Sequence, residues 1–225
     1  MTKRLLATAL TAVFLAMGSA RANTITGLVD TGAGLSDGQF DAHYTVVQAP
    51  AVDGPSTGAT AVVGNGFPFP YWITAPSGSN WISAHGRNPN LDPNFNSAYV
   101  YQLTFDLSTK ATSLTITGYW AADNYGSDIS LNGTSSGDTT AIGSYGSSFA
   151  GLTPFVISGP GNVGLNSIDF YVTNYAQNGG NPTGLLVTDI SGVYTPASSV
   201  TEPASLILLC VGLMGVGLIR ARAAA

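Results

Sequence analysis

Tyr99, Tyr101, Leu103, Phe105 and Leu107 occupy alternate positions, with Gln102, Thr104 and Asp106 between them. A period of two puts one set on one face of an extended chain, so this stretch predicts a half-buried β-strand. The same rule predicts strands around Leu114, Ile116 and Trp120 and around Ile168, Phe170 and Val172. Weaker runs at 25–29, 43–47, 59–63, 129–131, 155–157 and 185–193 predict further strands. Between them lie Asn132-Gly133, Ser158-Gly159-Pro160-Gly161-Asn162 and Asn178-Gly179-Gly180-Asn181-Pro182, which is turn chemistry. No amphipathic run at helical spacing interrupts this series, so the expected product is an all-β antiparallel sandwich of about eight or nine strands.

The two ends follow a different pattern. Lys3 and Arg4 precede an apolar stretch that closes on Gly18-Ser19-Ala20-Arg21-Ala22. Cations, a short apolar core and small residues before a cut read as a secretory signal peptide, 1–22, removed by signal peptidase. An uncleaved anchor is the other reading. At the far end, Glu202-Pro203-Ala204-Ser205 leads into an apolar helix at 204–219, followed by Arg220 and Arg222. That apolar length falls slightly under the roughly 20 residues a bilayer asks for, so it predicts a marginal transmembrane helix with cytoplasmic arginines.

Glu202-Pro203-Ala204-Ser205-Leu206, a Gly-containing apolar helix and a terminal arginine cluster resemble the PEP-CTERM sorting tail of Gram-negative bacteria that make exopolysaccharide. That family usually shows Pro-Glu-Pro, and Thr201 stands here in place of the first proline. The resemblance implies insertion in the inner membrane, recognition by an exosortase-type processing enzyme, cleavage near the Glu-Pro pair, and delivery to the cell surface or extracellular matrix. An ordinary C-terminal anchor is the alternative.

These ends bracket a single domain at 23–197, with the tail at 198–225. Only 8% of the 225 residues are charged, against roughly a quarter in an ordinary soluble chain. This excludes a long solvated helix and a basic nucleic-acid binder. Between 23 and 200, Arg87 and Lys110 face eleven aspartates, a net of −9. Such a domain repels phosphate backbones, so no nucleic acid is expected as a partner, and neutral sugars or divalent cations suit it better. The single cysteine, Cys210, lies in the apolar tail, so the domain has no disulfide and depends on its hydrophobic core.

A second resemblance covers most of the domain. Gly118-Tyr119-Trp120-Ala121-Ala122-Asp123-Asn124, then Ile129-Ser130-Leu131-Asn132-Gly133, Phe155-Val156-Ile157 and 166–174, is similar to the galactose-binding-like jelly roll. The early Asp41-Ala42-His43-Tyr44 and late Asn181-Pro182-Thr183-Gly184-Leu185 are similar to domains of that lineage in PEP-CTERM proteins. The same arrangement occurs in sugar-binding modules attached to glycoside hydrolases. The resemblance implies a noncatalytic carbohydrate-binding module for exopolysaccharide. A purely structural matrix protein and an enzyme on the same sandwich are the rival functions.

Candidate chemistry divides three ways. For catalysis, Asp123 and Asp128 flank a turn and could form a carboxyl pair, yet solvation or calcium explains them more simply, and no nucleophile elbow accompanies His43 or His85. The expectation is therefore no enzyme. For metal, Asp37 and Asp41 in the turn 30–41 are the calcium candidates, because hard cations choose oxygen ligands; a metal-free Asx-turn loop is the other reading. For sugar, stacking needs an aromatic face with amide and carboxylate partners, and Trp72, Trp81, Trp120, Asp123 and Asn124 supply those types. Trp120 lies on the apolar register of its strand, which favours core packing. Trp72 and Trp81 lie in Pro- and Gly-rich connections and are expected to be exposed. Asn132-Gly133-Thr134 matches a glycosylation sequon but reads as a strand-joining turn.

Overall fold

The computed structural model describes residues 22–50, 59–64, 66–84, 95–140, 147–176 and 181–197. The segments expected as signal peptide and sorting tail, including Glu202, Pro203, Ala204, Ser205, Arg220 and Arg222, lie outside the described residues, apart from Ala22. Among the described residues no helix is long and apolar enough to cross a membrane, and the one helical element is a 3-10 turn at Ser148–Ala150.

The strands are β1 (Asn23–Thr24), β2 (Phe40–Asp41), β3 (Tyr44–Gln48), β4 (Ala59–Val62), β5 (Trp81–Ser83), β6 (Ser97–Leu107), β7 (Ala111–Asp123), β8 (Tyr125–Leu131), β9 (Thr134–Ser135), β10 (Thr153–Gly161), β11 (Gly164–Asn174) and β12 (Gly184–Pro196). They form two antiparallel sheets. One runs β10-β7-β12-β5-β4-β2, with β1 added alongside β12; the other runs β3-β6-β11-β8-β9. The all-β sandwich is the architecture expected from the alternation, and the strongest alternating stretch is indeed β6, paired along its whole length with β11.

The inward faces explain why. Tyr99, Tyr101, Leu103 and Phe105 of β6 and Ile168, Phe170 and Val172 of β11 meet Leu114, Ile116 and Trp120 of β7, Phe155 and Ile157 of β10, and Leu185 and Val187 of β12 in one buried core. Burying a side chain of this size contributes about 1.5–3 kcal/mol, so a core of this extent can do without a cross-link. The weak run at 25–29 does not become a strand. Gly27 takes a left-handed φ of 89°, which turns the chain away after β1, while Ile25 still anchors it through N–H to Gly192 O at 2.9 Å. Asn132 and Gly133, both at positive φ, make the two-residue turn between β8 and β9 that the sequence predicts.

A second, smaller core sits on the other face of the seven-stranded sheet. Val62, Trp72, Trp81, Ala121 and Leu186 are buried together there, with Phe69, Ile73, Phe149 and Leu152 packed around them. At this end β7 and β12 are therefore covered on both faces, and their alternation stops: Trp120, Ala121 and Ala122 are all buried, as are Leu185, Leu186 and Val187.

Candidate functional site

The doubly covered end of the sandwich carries the candidate site. Here β7 ends at Asp123, the peptide to Asn124 is cis, and the chain passes from the seven-stranded sheet into β8 of the five-stranded one. Asn124 is held on all sides. Its N–H donates to Thr173 O at 3.1 Å, its carbonyl accepts Ser148 N–H at 3.1 Å, and its Oδ1 accepts Tyr175 N–H at 2.7 Å. Asp123 is buried, with Oδ2 accepting the Trp72 indole N–H at 2.7 Å and its carbonyl accepting the Thr183 hydroxyl at 2.9 Å. Both residues thus fix the crossover and brace the loop that bears Trp72.

The expected exposure of Trp72 and Trp81 is corrected by their burial, 2% and 0% exposed. The outer sheet face at Ala121 and Leu186 is apolar and has to be covered, and the two indoles cover it, stacked on each other at 4.3 Å. Trp81 is not in a connection at all; it opens β5, and its N–H donates to Ile73 O at 2.9 Å. Gly184 makes room for Trp72, since a Cβ there would lie 2.4 Å from the indole Cη2. Trp120 is fully buried in the main core, as its register implied. None of the three indoles offers a face to a ligand.

The rings that do face outward are their neighbours. In the same loop, Tyr71 is 67% and Phe67 46% exposed, and the two rings meet edge to face at 6.5 Å. The loop beneath them is internally bonded, with Phe69 N–H to Gly66 O and Tyr71 N–H to Pro68 O, both at 3.0 Å. It is tied to the body of the domain by Ile73 N–H to Phe149 O at 2.8 Å and by Trp72 to Asp123. Phe69 packs edge to face on Trp72 at 6.2 Å. The result is an uncharged aromatic ledge on a braced loop, suited to the apolar C–H face of a ring-shaped ligand.

The acidic candidates have other partners. Asp41 is 1% exposed; Oδ2 accepts Gly32 N–H at 2.7 Å and Oδ1 accepts His43 N–H at 2.9 Å, with His43 Nδ1 3.4 Å away. Asp37 Oδ1 accepts Val63 N–H at 2.8 Å. The Asp41–His43 bond is an Asx-turn, while the other two tie these carboxylates to backbone more distant in the chain. Among the described residues no group of three His, Cys, Asp or Glu side chains gathers. Both Asp41 oxygens face N–H donors, so that carboxylate is engaged within its own turn. Asp128 stands in the opposite sheet from Asp123, and its Oδ1 accepts Ile129 N–H at 2.8 Å and Gly137 N–H at 3.0 Å. His85 lies outside the described residues.

No protein-family model and no curated protein matches the chain. Among solved structures it is similar to a family 35 carbohydrate binding module from Clostridium thermocellum, at 13% identity over 71% of this chain and 99% of that one, TM-score 0.35. It is also similar to a CBM35 from Paenibacillus barcinonensis, at 18% identity over 68% and 98%, TM-score 0.30. A third is the CBM35 from Cellvibrio japonicus Abf62, at 14% identity over 79% and 100%, TM-score 0.31. The class of this protein, an antiparallel β-sandwich, rests on its own strand order.

Proposed function

We propose that this protein is an exported, noncatalytic carbohydrate-binding module of galactose-binding-like jelly-roll type, acting at the cell surface or in the extracellular matrix. Signal peptidase removes 1–22, and an exosortase-type enzyme processes the tail at Glu202-Pro203. The ligand is exopolysaccharide. The observation that carries this reading is the Phe67–Tyr71 pair: two large rings left in solvent on a loop braced from below by buried tryptophans. What sets the pair apart is that the two rings touch each other on a fixed scaffold, and a pyranose ring presents C–H faces that match them. The absence of charge on the ledge suits a neutral sugar.

The test is affinity electrophoresis of the detergent-solubilised full chain through gels containing neutral polysaccharides, including the exopolysaccharide of the producing cells. Wild type should be retarded, and the Phe67→Ala, Tyr71→Ala double variant should run at least tenfold weaker in apparent affinity while unfolding at the same denaturant concentration. Chelator should leave wild-type retardation unchanged, because the ledge uses no metal. A structural matrix protein without a saccharide site would migrate identically in both forms, and that result would sink the proposal.

A further inference from the structure

A cleft of about 300 Å³ opens at the opposite end of the sandwich, between the two sheets where their edge strands β9 and β10 come side by side. That volume lies at the lower end of those of small-ligand sites. Leu131 and Ile157 form an apolar floor, and Thr134, Ser135, Ser158 and Asn162 supply hydroxyl and amide groups around it. None of its lining residues is charged.

The walls of this cleft are fixed before anything enters. One is the Asn132-Gly133 turn, the other the turn from β10 to β11, and a single buried side chain ties them together. Asn166, 1% exposed, accepts Asn162 N–H at 2.8 Å and the Asn132 amide at 3.0 Å through Oδ1. Its own amide donates to Asn162 O at 3.0 Å and Gly164 O at 2.9 Å. Asn132 Oδ1 in turn accepts Ser167 N–H at 3.0 Å. Preorganised walls lower the ordering cost of binding. A peptide strand is a poor occupant, because Pro160 removes a backbone donor where β10 lines the cleft. Hydroxyls and amides over an apolar floor match a neutral, hydroxyl-rich chain.

We infer that this cleft is a second saccharide site, so that one chain holds two polysaccharide strands at once and cross-links them. This rests on the saccharide reading of the Phe67–Tyr71 ledge. The two sites cannot share one short oligosaccharide. The cleft lies beside the first half of β7, where its lining residue Gly159 faces Leu114, and the ledge is tied to the end of β7 at Asp123. At about 3.3 Å per residue, the two are roughly 30 Å apart along the strand. Two sites this far apart on a stiff body bridge separate polymers and cannot clasp one oligosaccharide much shorter than their separation.

The experiment is calorimetric titration of the full chain, confirmed by light scattering to be one chain per detergent micelle, with cellotriose, xylotriose and mannotriose, each much shorter than the separation of the sites. It is paired with turbidity on the corresponding long polysaccharides. The cleft variant is Thr134→Arg with Asn162→Ala, both at exposed positions; Asn162 meets Asn166 through its backbone, which the substitution keeps. Two trisaccharides per wild-type chain, one for each double variant, none for the combination, and turbidity in wild type alone would support the inference. One trisaccharide per chain, abolished by F67A/Y71A and untouched by T134R/N162A, overturns the second site and leaves the ledge standing. One abolished only by T134R/N162A overturns the bridging arrangement and removes the ledge as a site. No binding by folded wild type overturns both.

Discussion

Tyr44 is buried in the main core, its ring 6.4 Å from Phe170 and its hydroxyl donating to Val29 O at 2.8 Å. Loss of solvation, and then the negative charges of Asp41 and Asp30, push its pKa well above the usual phenol value. The folded pKa is thus higher than the unfolded one. The stability this confers is fully present below about pH 10 and is lost as pH rises through the folded value, because the unfolded chain gives up its proton first. Denaturation midpoints measured from pH 8 to 11 should therefore fall more steeply for wild type than for Tyr44→Phe; parallel curves would contradict this. Two adjacent residues, Tyr71 and Trp72, pose the opposite case. Trp72→Phe removes the donor to Asp123 and part of a stacked pair, and should cost about 3 kcal/mol by chemical denaturation. Tyr71→Ala, on an exposed ring, should stay within about 0.5 kcal/mol. The sequence Pro-Tyr-Trp shows that two rings are present but not which faces inward, since an irregular loop has no period to read. The signal lay elsewhere, in the lapse of alternation at Trp120-Ala121-Ala122 and Leu185-Leu186-Val187, which demands aromatic cover from another segment.

Among the elements, the long strands were legible because one face of each meets a core and the other meets water. β11 alternates from Leu165 to its end, and β6 departs from alternation only at Val100, which is buried between Tyr99 and Tyr101. The short pieces were not. β1, β2 and β9 have two residues each, too few for any period, and they exist because longer neighbours present unpaired edges to them. Trp81–Ser83 is buried throughout and looks like a connection in sequence because the sheet closes over both its faces. Turns are the other place where side chains decide element geometry. Asn166→Ala would release both turns at the cleft end at once, leaving buried backbone groups without partners. The expected cost is about 2–4 kcal/mol, with faster hydrogen exchange at the amides of Asn162 and Ser167 than elsewhere in β11. Unchanged exchange at those two amides would show that the turns hold themselves.

At the scale of the molecule, the two ends of the sandwich differ: one carries the second core and the Phe67–Tyr71 ledge, the other the cleft. β1 pairs with the last strand, Asn23 opposite Tyr194, so the first and last described strands meet toward the cleft end, away from the Phe67–Tyr71 ledge. The fold class and the approximate number of substantial strands were readable from periodicity; the position of the candidate site was not, because it depends on which rings the second core consumes. The edges of the two sheets also bear on the company this protein keeps. β10 forms one border of the larger sheet, and its prolines at 154 and 160 punctuate the row of hydrogen-bond donors that a neighbouring copy would need. Those gaps weaken this border as a template for a second copy. On the proposed function, copies would then be linked through the polysaccharide rather than through the β10 edge.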